Sequence, residues 1–151
     1  MRDSKFAVCI SLFLTIVLLT SCSSVAASPT TKTITILEME LTENYDVSDP
    51  FINAKLFCVT ENIDTLNMTI SFQMEGESGI MEIADNETKE ILWSDKWSGN
   101  IETNTFTVTL DSLDKDKDYV VQFTGTKIKY AKIAVASENS LVEYLERPRA
   151  K

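Results

Sequence analysis

Hydrophobic and polar positions alternate with a period of two along most of this chain, the mark of strands with one buried face. The cleanest run is Leu66 to Met74. There Leu66, Met68, Ile70, Phe72 and Met74 fall on one face, and Asn67, Thr69, Ser71 and Gln73 on the other. Such a run predicts a half-buried antiparallel strand. Thr33 to Leu41 alternates after a brief irregularity, and Asn53 to Thr60 is a shorter apolar run holding Leu56, Phe57, Cys58 and Val59. Ile80 to Ala84 and Glu90 to Trp93 flank a hairpin-like connection, Asp85-Asn86-Glu87-Thr88. Phe106, Val108 and Leu110 oppose Thr105, Thr107 and Thr109, while Tyr119, Val121 and Phe123 repeat the pattern and Ile128 to Ala136 ends it. Gly76 to Gly79, Gly99-Asn100 and Gly125 read as turns. About eight short strands with turns between them predict an all-β antiparallel β-sandwich over residues 33–137. A jelly roll, as in carbohydrate-binding modules, fits the same periodicity. Beyond it, Asn139 to Glu146 reads as one or two helical turns, capped by Asn139 or Ser140 and stopped by Pro148. Arg147, Arg149 and Lys151 follow as a basic tail, so 138–151 is expected to be a short helix or a frayed end.

The first residues break this rhythm. Arg2 and Lys5 give a short basic start, diluted by Asp3, and Phe6 to Leu19 is almost wholly apolar. At about 14 residues the run is short for a transmembrane helix, which needs ~20, and suits the core of a signal peptide. It ends Leu19-Thr20-Ser21-Cys22. This segment resembles the lipobox of bacterial lipoproteins: an aliphatic residue, two small residues, then cysteine. The resemblance implies a signal peptide over 1–21 and acylation of Cys22, which then holds the protein to a membrane. Two or three acyl chains make such anchoring stable. A cut after Ala26 or Ala27, as in an ordinary secretory signal, is the competing reading. Residues 22–32, rich in serine, threonine and alanine, are expected to be a flexible tether.

Charge and composition narrow the chemistry. The chain carries 14 basic and 23 acidic residues, a net charge of -9. Its acidity repels phosphate backbones, so no nucleic-acid partner is expected. It disfavours docking of the domain itself on anionic lipid as well, leaving the lipid on Cys22 as the membrane contact. Histidine is absent from the whole sequence. This removes the commonest general base and a common metal ligand, and with them any Ser-His-Asp or Cys-His site. Of the three cysteines, Cys9 and Cys22 lie in the N-terminal region, so Cys58 has no disulfide partner within the domain and is read as an inert buried thiol.

Leu113, then Asp114-Lys115-Asp116-Lys117-Asp118, then Tyr119 and a strand, is similar to the corner before a late strand in immunoglobulin-like and fibronectin type III domains. The resemblance implies that the Tyr119 hydroxyl bonds back to nearby backbone while its ring fills the sandwich edge. The corner lacks the usual Gly or Pro. Residues 79–136 also resemble, in spacing, small lipoproteins of Gram-positive bacteria with an immunoglobulin-like domain.

Two constellations invite chemistry. Asp114-x-Asp116-x-Asp118 has the opening of a calcium loop, but Tyr119 stands where the turn needs Gly, Gly125 stands where a bidentate Glu belongs, and no metal or other cofactor is expected. Trp93, Asp95 and Trp97 project from one side if their strand continues, and two indole faces with a carboxylate would suit a glycan. Packing of both tryptophans in or at the rim of the core is the competing reading. The expectation is a lipid-anchored extracytoplasmic protein whose sandwich is non-catalytic and binds a protein or glycan partner. The alternatives are a carbohydrate-binding module using Trp93 and Trp97 and an accessory subunit of a cell-envelope complex.

Overall fold

The computed structural model describes residues 34–46, 48–49, 52–137 and 139–149. The signal peptide, the lipobox with Cys22 and the tether over 22–32 lie outside the described residues. Within them the chain forms strands: β1 (Ile34–Thr42), β2 (Ala54–Val59), β3 (Ile63–Glu75), β4 (Ser78–Asp85), β5 (Ile91–Ser98), β6 (Ile101–Leu113), β7 (Asp118–Thr126), β8 (Tyr130–Ser137) and β9 (Val142–Leu145). They make two antiparallel sheets, ordered β1-β8-β3-β6 and β5-β4-β7-β2-β9.

Burial follows the alternation. Leu66, Met68, Ile70, Phe72 and Met74 of β3 are buried together with Met81 and Ile83 of β4, Val121 and Phe123 of β7, and Ile133 and Val135 of β8. Each such side chain contributes about 1.5–3 kcal/mol by leaving water. The antiparallel sandwich predicted from the period of two is thus the fold of the chain. Its layering is that of immunoglobulin-like domains. Its winding is more specific: β1 pairs with β8, β2 with β7, β3 with β6 and β4 with β5. One long hairpin rolled over itself gives this pairing, which is the jelly-roll arrangement.

Two local expectations change. Gly79, read as part of a turn, lies inside β4 and faces Gly125 of β7 across the ladder. A Cβ on Gly79 would sit 2.6 Å from Phe123 Cε2 and 2.7 Å from Met74 Sδ, so the missing side chain makes room for core rings. Of the region 138–151, expected to be a short helix or a frayed end, the described residues 139–149 form no helix. Residues 142–145 form β9 against β2, with Leu56 opposite Leu145 and Val59 opposite Val142. The open edge of β2 offers a ladder of backbone hydrogen bonds, and Leu145 packs on Leu56, Ala84 and Val120. Those long-range contacts outweigh a local helical preference of one or two turns. Asn139 still acts as a cap, but of a turn: its Oδ1 accepts from Leu141 N at 2.8 Å.

Candidate functional site

The three aromatic-site residues lie on β5, which runs on through Ser98 and so places Trp93, Asp95 and Trp97 on one side. They sit opposite Ile83, Met81 and Gly79, whose positions in β4 are buried. The indoles turn inward. The Trp97 ring lies 4.5 Å from that of Phe72 and 6.0 Å from that of Phe106, and Trp93 lies 5.8 Å from Phe106. Both tryptophans are half-buried against the core, while Asp95 between them is exposed and accepts from Lys96 N at 2.8 Å. The rings close the side of the sandwich where the edges β5 and β6 meet, with offset contacts of the kind aromatic pairs prefer.

A charged cleft of about 410 Å³ opens at one end, where the β4–β5 turn, the β6–β7 corner and the C-terminal segment converge. Asp85, Lys117, Asp118 and Arg149 line it. Asp85 is 2 % exposed. Its Oδ1 accepts from the amides of Glu87 and Thr88, each at 2.9 Å, which folds the β4–β5 turn around the carboxylate. Its Oδ2 meets the Lys117 ammonium at 2.8 Å and has no other polar partner among the described residues. Burial pushes the Asp85 pKa up, yet Lys117 and the two amides outweigh it and hold the carboxyl lowered to about 2. Lys117 alternates with the aspartates of its own corner and is 43% exposed. It is nevertheless the counter-ion of a buried acid on another turn.

Arg149 completes the cluster. Its Nε donates to Asp118, its backbone N to Asp118 Oδ2 at 2.7 Å, and its two terminal nitrogens to the carbonyls of Lys115 and Lys117 at 2.8 and 2.6 Å. The residue expected at a frayed end thus clamps the acidic corner. Neither Asp85 nor Arg149 stood out in the sequence, because each acts through residues far away in the chain. The nearest signal was the Asp85-Asn86-Glu87-Thr88 turn, in which an aspartate can cap its own amides.

At the same corner the Tyr119 hydroxyl accepts from Asp114 N at 2.6 Å and donates to Asp114 O at 3.3 Å, and its ring stacks on Phe57 at 5.3 Å. The tyrosine corner is formed as the immunoglobulin-like resemblance implies. Asp114 Oδ1 accepts from Asp116 N at 2.8 Å, so the Asp114-x-Asp116-x-Asp118 run makes a turn. No group of three or more acidic or cysteine side chains among the described residues is placed to hold a metal ion. Cys58 is free and buried, and burial pushes its thiol pKa up.

No curated protein matches the chain in sequence. Among solved structures it is similar to the dimeric latent PorU from Porphyromonas gingivalis, with 10% identity and a TM-score of 0.32. That match covers 69% of this chain and 13% of PorU, so the chain spans a small part of that protein's length. The sequence pattern of DUF4624, a domain of unknown function, matches residues 26–149 and so takes in every strand of the sandwich. The chain belongs to the DUF4624 family.

Proposed function

We propose that this chain is an extracytoplasmic lipoprotein, held at a membrane through a lipid on Cys22, whose sandwich is a non-catalytic binding module for a protein partner. One observation supports the reading of the domain above others: the charged and aromatic side chains of its two candidate sites are engaged with one another. Lys117 neutralises Asp85, Arg149 holds Asp118, and Trp93 and Trp97 pack on Phe72 and Phe106. What the domain offers outward is acidic surface and the edges of its sheets. The anchoring rests on Leu19-Thr20-Ser21-Cys22, and an acidic domain gains little from anionic lipid by itself. Service as an accessory subunit in a cell-envelope complex is the same reading with the partner placed in the envelope.

Replacing the acceptor tests the address. Cys22→Ala should move the protein from the membrane fraction to the soluble one and abolish incorporation of labelled palmitate. Retention of the variant on membranes would contradict the reading. A glycan-binding role is the second reading, supported by the shared side of Trp93, Asp95 and Trp97 and by the exposure of Asp95. Titration of soluble glycans against tryptophan fluorescence separates the two readings, since a saturable response would favour the glycan.

A further inference from the structure

A two-sheet sandwich leaves four edge strands, and here they are β1 and β6 in one sheet, β5 and β9 in the other. Each edge strand presents a row of backbone groups without a ladder partner, which natural proteins guard with charge, bulges or shortness. Three of these edges are guarded. β1 carries the exposed Glu38 and Glu40 and a register shift between Thr35 and Leu37. β5 has Asp95 and Lys96, both exposed, at its centre. β9 is four residues long and carries Glu143.

β6 is different. It runs for 13 residues and among the described residues pairs only with β3. Between Glu102 and Asp111 it reads Thr-Asn-Thr-Phe-Thr-Val-Thr-Leu, with no charge, no proline and no glycine. Thr103, Thr105, Thr107 and Thr109 are exposed on its outer face. Threonine, valine and phenylalanine favour strands, so the segment is already formed and ordered to receive another.

The sequence of β6 suits itself as a partner. Antiparallel pairing about a two-fold axis at Phe106 sets Thr105 of each copy opposite Thr107 of the other, within the regular stretch Asn104 to Leu110. The outer face then carries two neighbouring threonine pairs, a favourable cross-strand combination. The acidic residues Glu102 and Asp111 stay at the ends of the paired segment, outside its centre. A net charge of -9 opposes any association of two copies, and an uncharged edge adds the least local repulsion to it. We infer that β6 is a strand-addition edge whose occupant is β6 of a second copy, which joins two four-stranded sheets into one continuous sheet. This deepens the reading of the domain as a binding module by naming its partner, and does not depend on the lipid.

The test is the oligomeric state of the full chain, purified in mild detergent and followed by sedimentation velocity over a range of concentrations. The wild-type chain should form a reversible dimer. Thr105→Lys/Thr107→Lys places lysines opposite each other across the axis, on positions exposed in the monomer, and should raise the dimer dissociation constant roughly tenfold. Its thermal midpoint and far-UV circular dichroism should match those of the wild type at concentrations where both are monomeric. Thr105→Ser/Thr107→Ser, and Glu40→Lys on the opposite edge, should leave the dimer intact. A wild-type chain that stays monomeric overturns the inference, whether or not the edge accepts a strand from another protein. So does a dimer that survives the double lysine substitution. Release of Cys22→Ala from membranes is read separately, so failure of either idea leaves the other distinguishable.

Discussion

Asp85 shows what a single side chain can organise. It is buried, it folds its own turn by accepting two amides, and it fastens that turn to the β6–β7 corner through Lys117. Its carboxyl is lowered from the ordinary 3.8 to about 2, so the folded state favours the charged form. The sign follows directly. The stabilisation is fully present above about pH 4 and is lost as pH falls from there through about 2. Because Lys117 is 43% exposed, solvent screening limits its size to on the order of 1–2 kcal/mol. Urea midpoints measured from neutral to acid pH should show this loss in the wild type. In Asp85→Asn the chain should start less stable, and the difference between the two proteins should shrink as pH approaches 2. A constant difference across that range would assign the effect to packing instead of charge.

At the scale of elements, β9 is the strand that local pattern misreads. Four residues cannot declare a period, and Asn139 with Pro148 frames them as a capped helical turn. The missing information is the open edge of β2, which exists only once the sandwich has closed. Arg149 has the same character, since its partners lie in the corner more than thirty residues earlier. These two features support each other: the chain leaves β9 and is pinned at once to Asp118, Lys115 and Lys117. Arg149→Ala should therefore loosen the end before it unfolds the domain. Amide exchange at Val142 to Leu145 should speed up by roughly tenfold, with β3 and β7 unchanged. Equal acceleration in all strands would mean that the clamp stabilises the whole sandwich. By contrast, the first eight strands were legible, most because they alternate long enough to show a buried face, β2 as a compact apolar run and β5 through the turn before it. Only their ends shifted, as at Gly79, where a glycine that signals a turn instead makes space for Phe123 and Met74.

For the whole molecule, winding matters more than content. The period of two predicts strands and a sandwich but carries no record of which strand meets which, so sandwich winding was open until pairing was seen. Tyr119 was an exception, because its corner is local: the hydroxyl reaches a residue five positions earlier. The candidate site was less legible than the fold. The sequence placed Trp93, Asp95 and Trp97 on one side, while the rings' inward turn onto Phe72 and Phe106 depends on strands brought together from elsewhere. Pairing of β1 with β8 also sets the kinetics, since the first strand must find the eighth before one sheet is complete. Refolding should occur on the millisecond-to-second scale typical of all-β sandwiches, as stopped-flow tryptophan fluorescence would show. Microsecond folding would be at odds with this topology.

The same winding sets a mechanical route. A pull on the chain upstream of Ile34 is felt first by β1, and β6 lies at the far edge of the same sheet. Tension between that point and anything gripping β6 crosses three ladders in series, β1–β8, β8–β3 and β3–β6. The second sheet, with the Tyr119 corner strand and the Arg149 clamp, lies outside that load path. The yield point is then set by the weakest of the three ladders. Register shifts interrupt β1–β8 near Thr35 and β3–β6 near Phe72, while β8–β3 runs without one, so the sheet would begin to give way at an outer ladder and hold at its centre.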